Sequence, residues 1–593
     1  MTQPHQHDAD APWMTITLRR LALAGMIALF TLAVSAVGFF KYRYLLYNGL
    51  DLAIYTNVLA NLAAGNGWWS DIQQHSYLGD HVEPVLLLLI PIFRVWSDAR
   101  LLVIVQALVL GLTAVPVYAL LRRSRWSLLL TALWLGNPLF WNAALFEFHA
   151  LAFAPVLLLS AGYFFLQRRF LPFILFLILA LFVREDIALI AMMFGVVAIV
   201  LRFSSFSSRL CHCEPSPRGV AISANARDRC VTPMTGIAAS RTPRNDSKKW
   251  YWMLLPLLLG IAWFSIATRI AAVHSPAGAY PFLVYYGWLG ESFGEVIVNT
   301  IGHPVLVAQH LLRLSNLDFV LGLLLPFLFL PFLAPAWFLL ALPPAAQVLL
   351  TASGGSNLMV QMHYGLLFVP ALVLATLRSP LFQRGDTGGW YGGRVATFFG
   401  HWFPLPHRAA MMLGVSAYIA VAFLLGPFPG IARAAVFGAT DTQRVQAQAT
   451  DVLLAAVPDN AVISASASVI TRVAARRGTT YLPNAALGQQ QYAFAPYVLP
   501  SQTTHVLAVI ADMAEEYTAL LHVSWTKPYA ADAPARLARL LEDGGFRVAA
   551  ERDGVFLLAR GADGPAPPLE LFTPAERITH RIIGPLREVE AAP

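Results

Sequence analysis

The sequence predicts a mainly α-helical, polytopic membrane bundle of about eleven spans with a small C-terminal α/β domain. Three observations carry this prediction. Hydrophobic residues make up 57% of the 593 positions and charged residues only 12%, which excludes an ordinary soluble protein. Long apolar runs recur from Leu21 to Leu425. Lys and Arg gather in short connections between those runs, so the net charge of +8 reads as a determinant of membrane orientation and not as affinity for nucleic acid.

The first apolar run, Leu21 to Phe40, follows Arg19 and Arg20 and is longer than the core of a cleaved signal peptide. It is expected to anchor the chain with residues 1–20 as a cytoplasmic tail. The stretch Val85 to Trp96 is short and broken by Pro91, as an interfacial or re-entrant helix would be. Leu101 to Leu121 is full length and ends in Arg122, Arg123 and Arg125. Taking it as the second span keeps those arginines inside. Spans near 126–145, 152–167, 170–183 and 187–203 follow, with Arg168 and Arg169 inside. Spans near 250–268, 318–333, 336–351, 363–377 and 409–427 complete a membrane domain over residues 21–429, with Arg378, Arg384, Arg394 and Arg408 inside. The C-terminal part is then outside.

Residues 204–249 interrupt this domain. Their Ser, Pro, Arg and Asn content predicts a disordered cytoplasmic insertion, and the stretch resembles translated repeat elements found in some bacterial genes, a passenger sequence. All three cysteines, Cys211, Cys213 and Cys230, lie in it and define no disulfide framework. The Cys211-His212-Cys213 spacing departs from zinc knuckles.

Residues 430–562 change character. Helices are expected near 441–457 and 513–522, apolar runs at 461–464 and 505–511 suit strands, and Asp553-Gly554 between 546–552 and 555–560 signals a hairpin. These are parts of an α/β domain, followed by a tail at 563–593 with weak amphipathic character. No glycine-rich phosphate loop or nucleophile elbow occurs in it.

Side chains capable of chemistry sit beside the spans, in loops that charge bias places outside: Asp51, His81 and Glu83, Glu147 and His149, Arg184-Glu185-Asp186, and His363. An ionisable group inside a bilayer costs roughly 2.5–3.5 kcal/mol at the centre. A shared outer pocket is the economical arrangement. Each residue also has a structural reading. Asp51 suits a cap for the segment it opens, and His81 and Glu83 suit the polar start of an interfacial helix. Arg184, Glu185 and Asp186 suit an ion-paired anchor between two spans. Glu147 and His149, flanked by Phe146 and Phe148, suit an interfacial turn, and His363 suits the start of a span. Asp71, His75 and Asp80 occupy the same loop as His81 and compete for any of these roles.

Several segments in order, Gly49-Leu-Asp-Leu-Ala-Ile-Tyr with Asn57, Asp80-His-Val-Glu-Pro, Phe146-Glu-Phe-His and Val183-Arg-Glu-Asp-Ile-Ala-Leu, resemble the multi-pass family catalogued as domain of unknown function 2079. Tyr285-Tyr-Gly-Trp-Leu-Gly, His363-Tyr-Gly-Leu-Leu-Phe-Val-Pro and Val457-Pro-Asp-Asn-Ala-Val-Ile-Ser-Ala extend the likeness over most of residues 40–560 outside the insertion. That family in turn resembles the GT-C superfamily, which transfers sugars from polyprenyl-phosphate donors at the outer membrane face through an acidic residue in the first outer loop. The resemblance implies a bacterial cytoplasmic (inner) membrane location and makes Asp51 the catalytic acid's counterpart. Many such enzymes carry an acidic pair there, whereas Leu52 follows Asp51.

Displacement at an anomeric carbon needs a base for the acceptor hydroxyl and cations or a metal for the departing phosphate. Asp51 is the expected base. His81 and Glu83 are expected to orient the acceptor or contribute to a divalent metal site. Arg184 and His363 are expected to hold the lipid phosphate, and Glu147, His149, Glu185 and Asp186 to complete substrate binding. Membrane lipid and a polyprenyl-phosphate sugar are the expected partners. A transporter or flippase of lipid-linked material, or an envelope scaffold, would also use a polar pocket among spans, although no internal repeat is visible.

Overall fold

The computed structural model describes residues 15–47, 50–122, 124, 126–210, 250–355, 359–360, 362–379, 407–426, 439–490, 495–522 and 527–574. The chain is mainly helical. Among the described residues, four helical segments are long and apolar enough to cross a membrane: Ile16–Arg43, Ala99–Leu121, Ser127–Leu145 and Tyr251–His274. The bent pair Pro304–Leu311 and Leu314–Phe327 makes a fifth if it forms one span. Shorter apolar helices include Pro84–Val95, Ala150–Leu166, Phe170–Leu181, Ile187–Leu201 and Val369–Arg378.

The first helix, α1 (Ile16–Arg43), is capped by the Thr15 side chain on Leu18 N–H. At 1.5 Å per residue it extends about 42 Å, enough for a bilayer core of about 30 Å with its interfaces. Next comes α2 (Leu50–Ala64), whose residues 52–59 are all buried. The stretch expected to be interfacial is a 3-10 turn, Pro84–Leu89, leading into α3 (Ile90–Val95). Proline sits at the start of each piece, where its missing N–H costs no hydrogen bond. The span Ala99–Leu121 consists of α4 (Ala99–Gly111) and α5 (Ala114–Leu121). Likewise Ser127–Leu145 is α6 (Ser127–Leu135) and α7 (Pro138–Leu145), with Asn137 capping α7. Then follow α8 (Phe153–Leu166), α9 (Phe170–Leu181), α10 (Ile187–Leu210) and α11 (Tyr251–His274). Helix α10 runs through Leu210, past Ser204, where the insertion was expected to begin. The rest of the insertion with all three cysteines, most of the N-terminal tail, Arg384, Arg394, and residues 575–593 lie outside the described residues.

Two buried regions organise the chain. One apolar cluster joins α1 and α4–α10 to the helices around Trp337 and Leu372. A second joins α2, the Pro84–Val95 region and the start of α4 to residues of the C-terminal part, including Ala449, Ile463, Ile470 and Leu507.

The C-terminal part contains a five-stranded sheet in the order β4-β3-β5-β7-β6, formed by β3 (Ile463–Ala465), β4 (Thr480–Tyr481), β5 (His505–Val509), β6 (Phe546–Arg552) and β7 (Val555–Arg560). A separate small hairpin precedes it, β1 (Trp69–Ser70) with β2 (His75–Ser76). Strands β3, β4 and β5 are parallel, whereas β7 is antiparallel to both β5 and β6. The turn between β6 and β7 places Asp553 and Gly554 at φ of 52° and 75°, the paired left-handed geometry of a two-residue hairpin and the reason for Asp-Gly there. Alternation along β5 sends Val506 and Ala508 towards Met513, Tyr517 and Leu537, and sends Leu507 and Val509 towards α2 and helix Asp441–Ala455. Period-two alternation thus buries both faces of the sheet. Leu571 is buried in the first of these layers, so the packed unit extends to about residue 572, beyond the domain end expected at 562.

Candidate functional site

The site begins at the N-terminus of α2. Asp51 lies in its first turn, where helix N–H groups lack internal partners. Glu147 reaches in from the turn after α7 and accepts from Leu52 N–H at 2.8 Å. Two buried side chains fix that turn: Lys41 Nζ donates to Leu145 O at 2.5 Å, and Gln106 Nε2 donates to Glu147 O at 3.0 Å while its Oε1 accepts from His149 N–H at 2.9 Å. A buried backbone turn must have its polar groups satisfied from within the protein. Lys41 and Gln106 do so here.

His149 follows from this arrangement. Its Nδ1 lies 3.2 Å from Glu147 O. The other nitrogen, Nε2, faces Asp51 Oδ2 at 3.2 Å. The His149 ring stacks on His363 with centroids 3.5 Å apart, and His363 in turn lies against Tyr364. His363 Nδ1 is buried with no hydrogen-bond partner among the described residues. The Asp51 side chain is 40% exposed.

A second group adjoins the first through Tyr55. Its ring meets His149 edge-on, and its hydroxyl donates to Glu83 Oε1 at 3.3 Å. Tyr77 donates to the other oxygen of Glu83 at 2.8 Å. Glu83 is fully buried, and burial pushes its carboxyl up, against the opposing pull of His81 and Arg184.

Glu185 is the hub of the third group. It accepts from His81 Nδ1 at 2.9 Å, Val82 N–H at 3.1 Å and Tyr280 OH at 3.1 Å. Burial works against both charges of this pair, but attraction and hydrogen bonding prevail. His81 is raised to about 9 and Glu185 lowered to about 2. His81 also stacks on Phe282 and keeps 24% of its side chain exposed. Arg184 lies within electrostatic range of Glu83, Glu185 and Asp186.

The nine residues singled out in the sequence therefore form one connected network. Asp51 makes its exposed end, against the buried His149 and His363, Glu147 supports them, and Glu83, Arg184, Glu185 and Asp186 form the packed remainder beside the partly exposed His81. One expected role meets a competing contact: Arg184 directs its Nε and Nη2 at Asp186, at 2.9 and 2.5 Å. The two-pronged contact expected for a lipid phosphate is thus made inside the protein. Among the described residues, no three His, Cys, Asp or Glu side chains are grouped to hold a metal ion, and His81 and Glu83 turn to separate partners.

Asp71 and His75 stand apart from this network, and the Asp80 carboxylate, bonded to Gln73, reaches it electrostatically, through Tyr77. Asp71 is tied to Asn57, Asn61 and Trp69, and His75 to the backbone of Ser76. The tyrosines Tyr55, Tyr77, Tyr280 and Tyr364, with Lys41 and Gln106, escaped sequence reasoning. Tyr55 carried a usable signal, one helical turn after Asp51 and hence on its face. Tyr364 adjoins His363. For Tyr280 and Gln106, far away in sequence, no local signal existed.

The sequence profile of one family, described as predicted membrane protein (DUF2079), matches residues 41–557. No curated protein matches the chain.

Proposed function

From the premise that the chain belongs to the DUF2079 family of predicted membrane proteins, we propose that it is a GT-C-like glycosyltransferase. It takes a sugar from a polyprenyl-phosphate donor at the outer membrane face. The observation that carries this reading is the Asp51–His149 pair: a half-exposed carboxylate with an imidazole Nε2 at 3.2 Å, at the open end of an otherwise packed polar network. In the proposed step the acceptor hydroxyl oxygen attacks the anomeric carbon. The bond from that carbon to the phosphate oxygen breaks, its electron pair leaves with the phosphate, and the hydroxyl proton passes to Asp51. His149 orients the carboxylate, and His81, held protonated by Glu185 and partly exposed, is the cation assigned to the departing phosphate. Among the described residues no three metal-ligating side chains are grouped, and the step is written without a metal.

The finer topology belongs to the same proposal. The shorter helices act as spans alongside the four long ones, giving about eleven, as charge bias along the sequence suggests. Ala150–Leu166, at about 26 Å, crosses a core of about 30 Å only with some local thinning or with help from flanking residues. With the N-terminus in the cytoplasm, residues 430–562 form an extracytoplasmic α/β domain.

The test uses the full chain in proteoliposomes with a polyprenyl-phosphate sugar and a hydroxyl acceptor. Asp51→Asn should lower transfer by roughly 10²–10⁴ while donor binding is retained. Transfer at the wild-type rate removes Asp51 as the base. Donor movement across the bilayer without bond formation replaces the reading with a transporter.

A further inference from the structure

A cavity of about 320 Å³ lies away from the Asp51 network, lined by Phe39, Tyr42, Arg43, Arg100, Asp451 and Arg472. Its volume is at the lower edge of the range for small-molecule sites, about 300–1,000 Å³. Its position follows from the helices. Arg43 ends the span Ile16–Arg43 and Arg100 opens the span Ala99–Leu121, and α1 packs along α4. Both arginines thus stand at one membrane face, opposite Arg19 and Arg20. Phe39, Tyr42 and the nearby Trp96 are side chains suited to the aromatic belt at that level. Asp451 and Arg472, from helices Asp441–Ala455 and Ile470–Val473, close the cavity from the C-terminal part.

The charges do not cancel. Three guanidinium groups, of Arg43, Arg100 and Arg472, face two carboxylates, Asp98 and Asp451, leaving one positive charge in surplus. Asp98 holds Arg100 through two hydrogen bonds of 2.9 and 2.8 Å. Asp451 is 58% exposed and reaches Arg472 only at 3.4 Å. Arg43 has no carboxylate partner among the described residues, and Arg472 Nε is buried without a hydrogen-bond partner. Tyr42 lies between Arg100 and Arg472, whose guanidinium carbons are 5.3 and 4.4 Å from its ring, so that cation–π contacts hold the two forks in place. Arginine forks match phosphate oxygens geometrically. Their collection at the membrane face away from Arg19 and Arg20 runs against the usual bias of orientation.

We propose that this cavity binds the phosphate headgroup of a membrane amphiphile, with Arg43 as its principal contact, the Nη1 edge of Arg100 that Asp98 leaves open beside it, and the acyl or prenyl chain running down beside α1. The site is independent of the transfer reaction proposed above, and its test reads binding alone.

The full chain in neutral detergent micelles is titrated calorimetrically with dihexanoyl phosphatidic acid, dihexanoyl phosphatidylcholine and inorganic phosphate, each referenced to protein-free micelles. Phosphatidic acid should bind at least about tenfold more tightly than the other two. The double variant Arg43→Gln, Arg100→Gln should lose about tenfold or more of that affinity while its melting temperature stays near wild type. Equal affinity of variant and wild type for phosphatidic acid overturns the proposal. Inorganic phosphate binding as tightly as phosphatidic acid shows a free-phosphate site and overturns the amphiphile. Should the double variant fail to fold, the wild type decides: affinity that does not fall between about 0.05 and 0.5 M salt is incompatible with a guanidinium–phosphate contact.

Discussion

His81 and Glu185 show how one contact sets the behaviour of two residues. Alone, each would lose its charge on burial. Together His81 is raised from 6.5 to about 9 and Glu185 lowered from 4.5 to about 2. The sign for stability follows. The His81 contribution is complete below about pH 6.5 and is lost as pH rises through about 9, while that of Glu185 is complete above about pH 4.5 and is lost as pH falls towards 2. Between about pH 4.5 and 6.5 both are in full effect. The melting temperature of the wild type should therefore exceed that of His81→Gln by most in this window, and the gap should close by about pH 10. A gap constant from pH 6 to 10 would show that the imidazolium is not what stabilises the pair. Which residues held chemistry was legible from residue type and place in the loops. Their pairing was not, because His81 and Glu185 are 104 positions apart and no pattern along the chain marks such partners.

Helices meet here through small residues and through borrowed caps. Gly195 on α10 and Gly260 on α11 bring the two backbones close. A Cβ at Gly260 would stand 2.6 Å from Ala188 O, and one at Gly195 would stand 2.5 Å from Met253 O. Close approach of this kind is a main source of helix association in lipid. Gly260→Ala should cost about 1–3 kcal/mol, seen as a lower midpoint in thermal unfolding, whereas Gly25→Ala, with open space around it, should change little. The cap on α2 is different, since Glu147 comes from outside the helix. Glu147→Ala should cost about 1–2 kcal/mol and leave Asp51 less well placed, so that any transfer activity falls along with stability. Unchanged stability would mean that Leu52 N–H finds another acceptor at no cost. Helix positions such as Ala99–Leu121 and Tyr251–His274, and the 553–554 hairpin, were readable from hydropathy and turn chemistry. The breaks at residues 112–113 and 136–137 inside two spans were not, because apolar content does not register where a helix bends.

At the scale of the molecule, the C-terminal part is joined to the membrane helices by specific contacts. Tyr497 OH donates to Ile72 O at 2.8 Å, Asn57 Nδ2 to Ala474 O at 3.0 Å and Arg472 Nη2 to Arg43 O at 2.9 Å. A shared apolar cluster lies beneath them. Sidedness is the global property on which the proposed function depends. A single cysteine at the exposed Ser501, in a background with Cys211, Cys213 and Cys230 replaced, should react with a membrane-impermeant maleimide in intact cells. Labelling only after lysis would place the sheet in the cytoplasm and end the outer-face reading.

The sequence by itself determined that this is a membrane protein of the DUF2079 family and which of its loops carry ionisable side chains, because bilayer cost writes itself into composition and charge along the chain. Only the tertiary structure decided that Asp51 faces His149, that His81 pairs with Glu185, and that Arg43, Arg100 and Arg472 meet in one cavity. Those contacts join residues up to 429 positions apart, and they exist only once helix packing, which acts through shape and buried hydrogen bonds, has brought distant segments together.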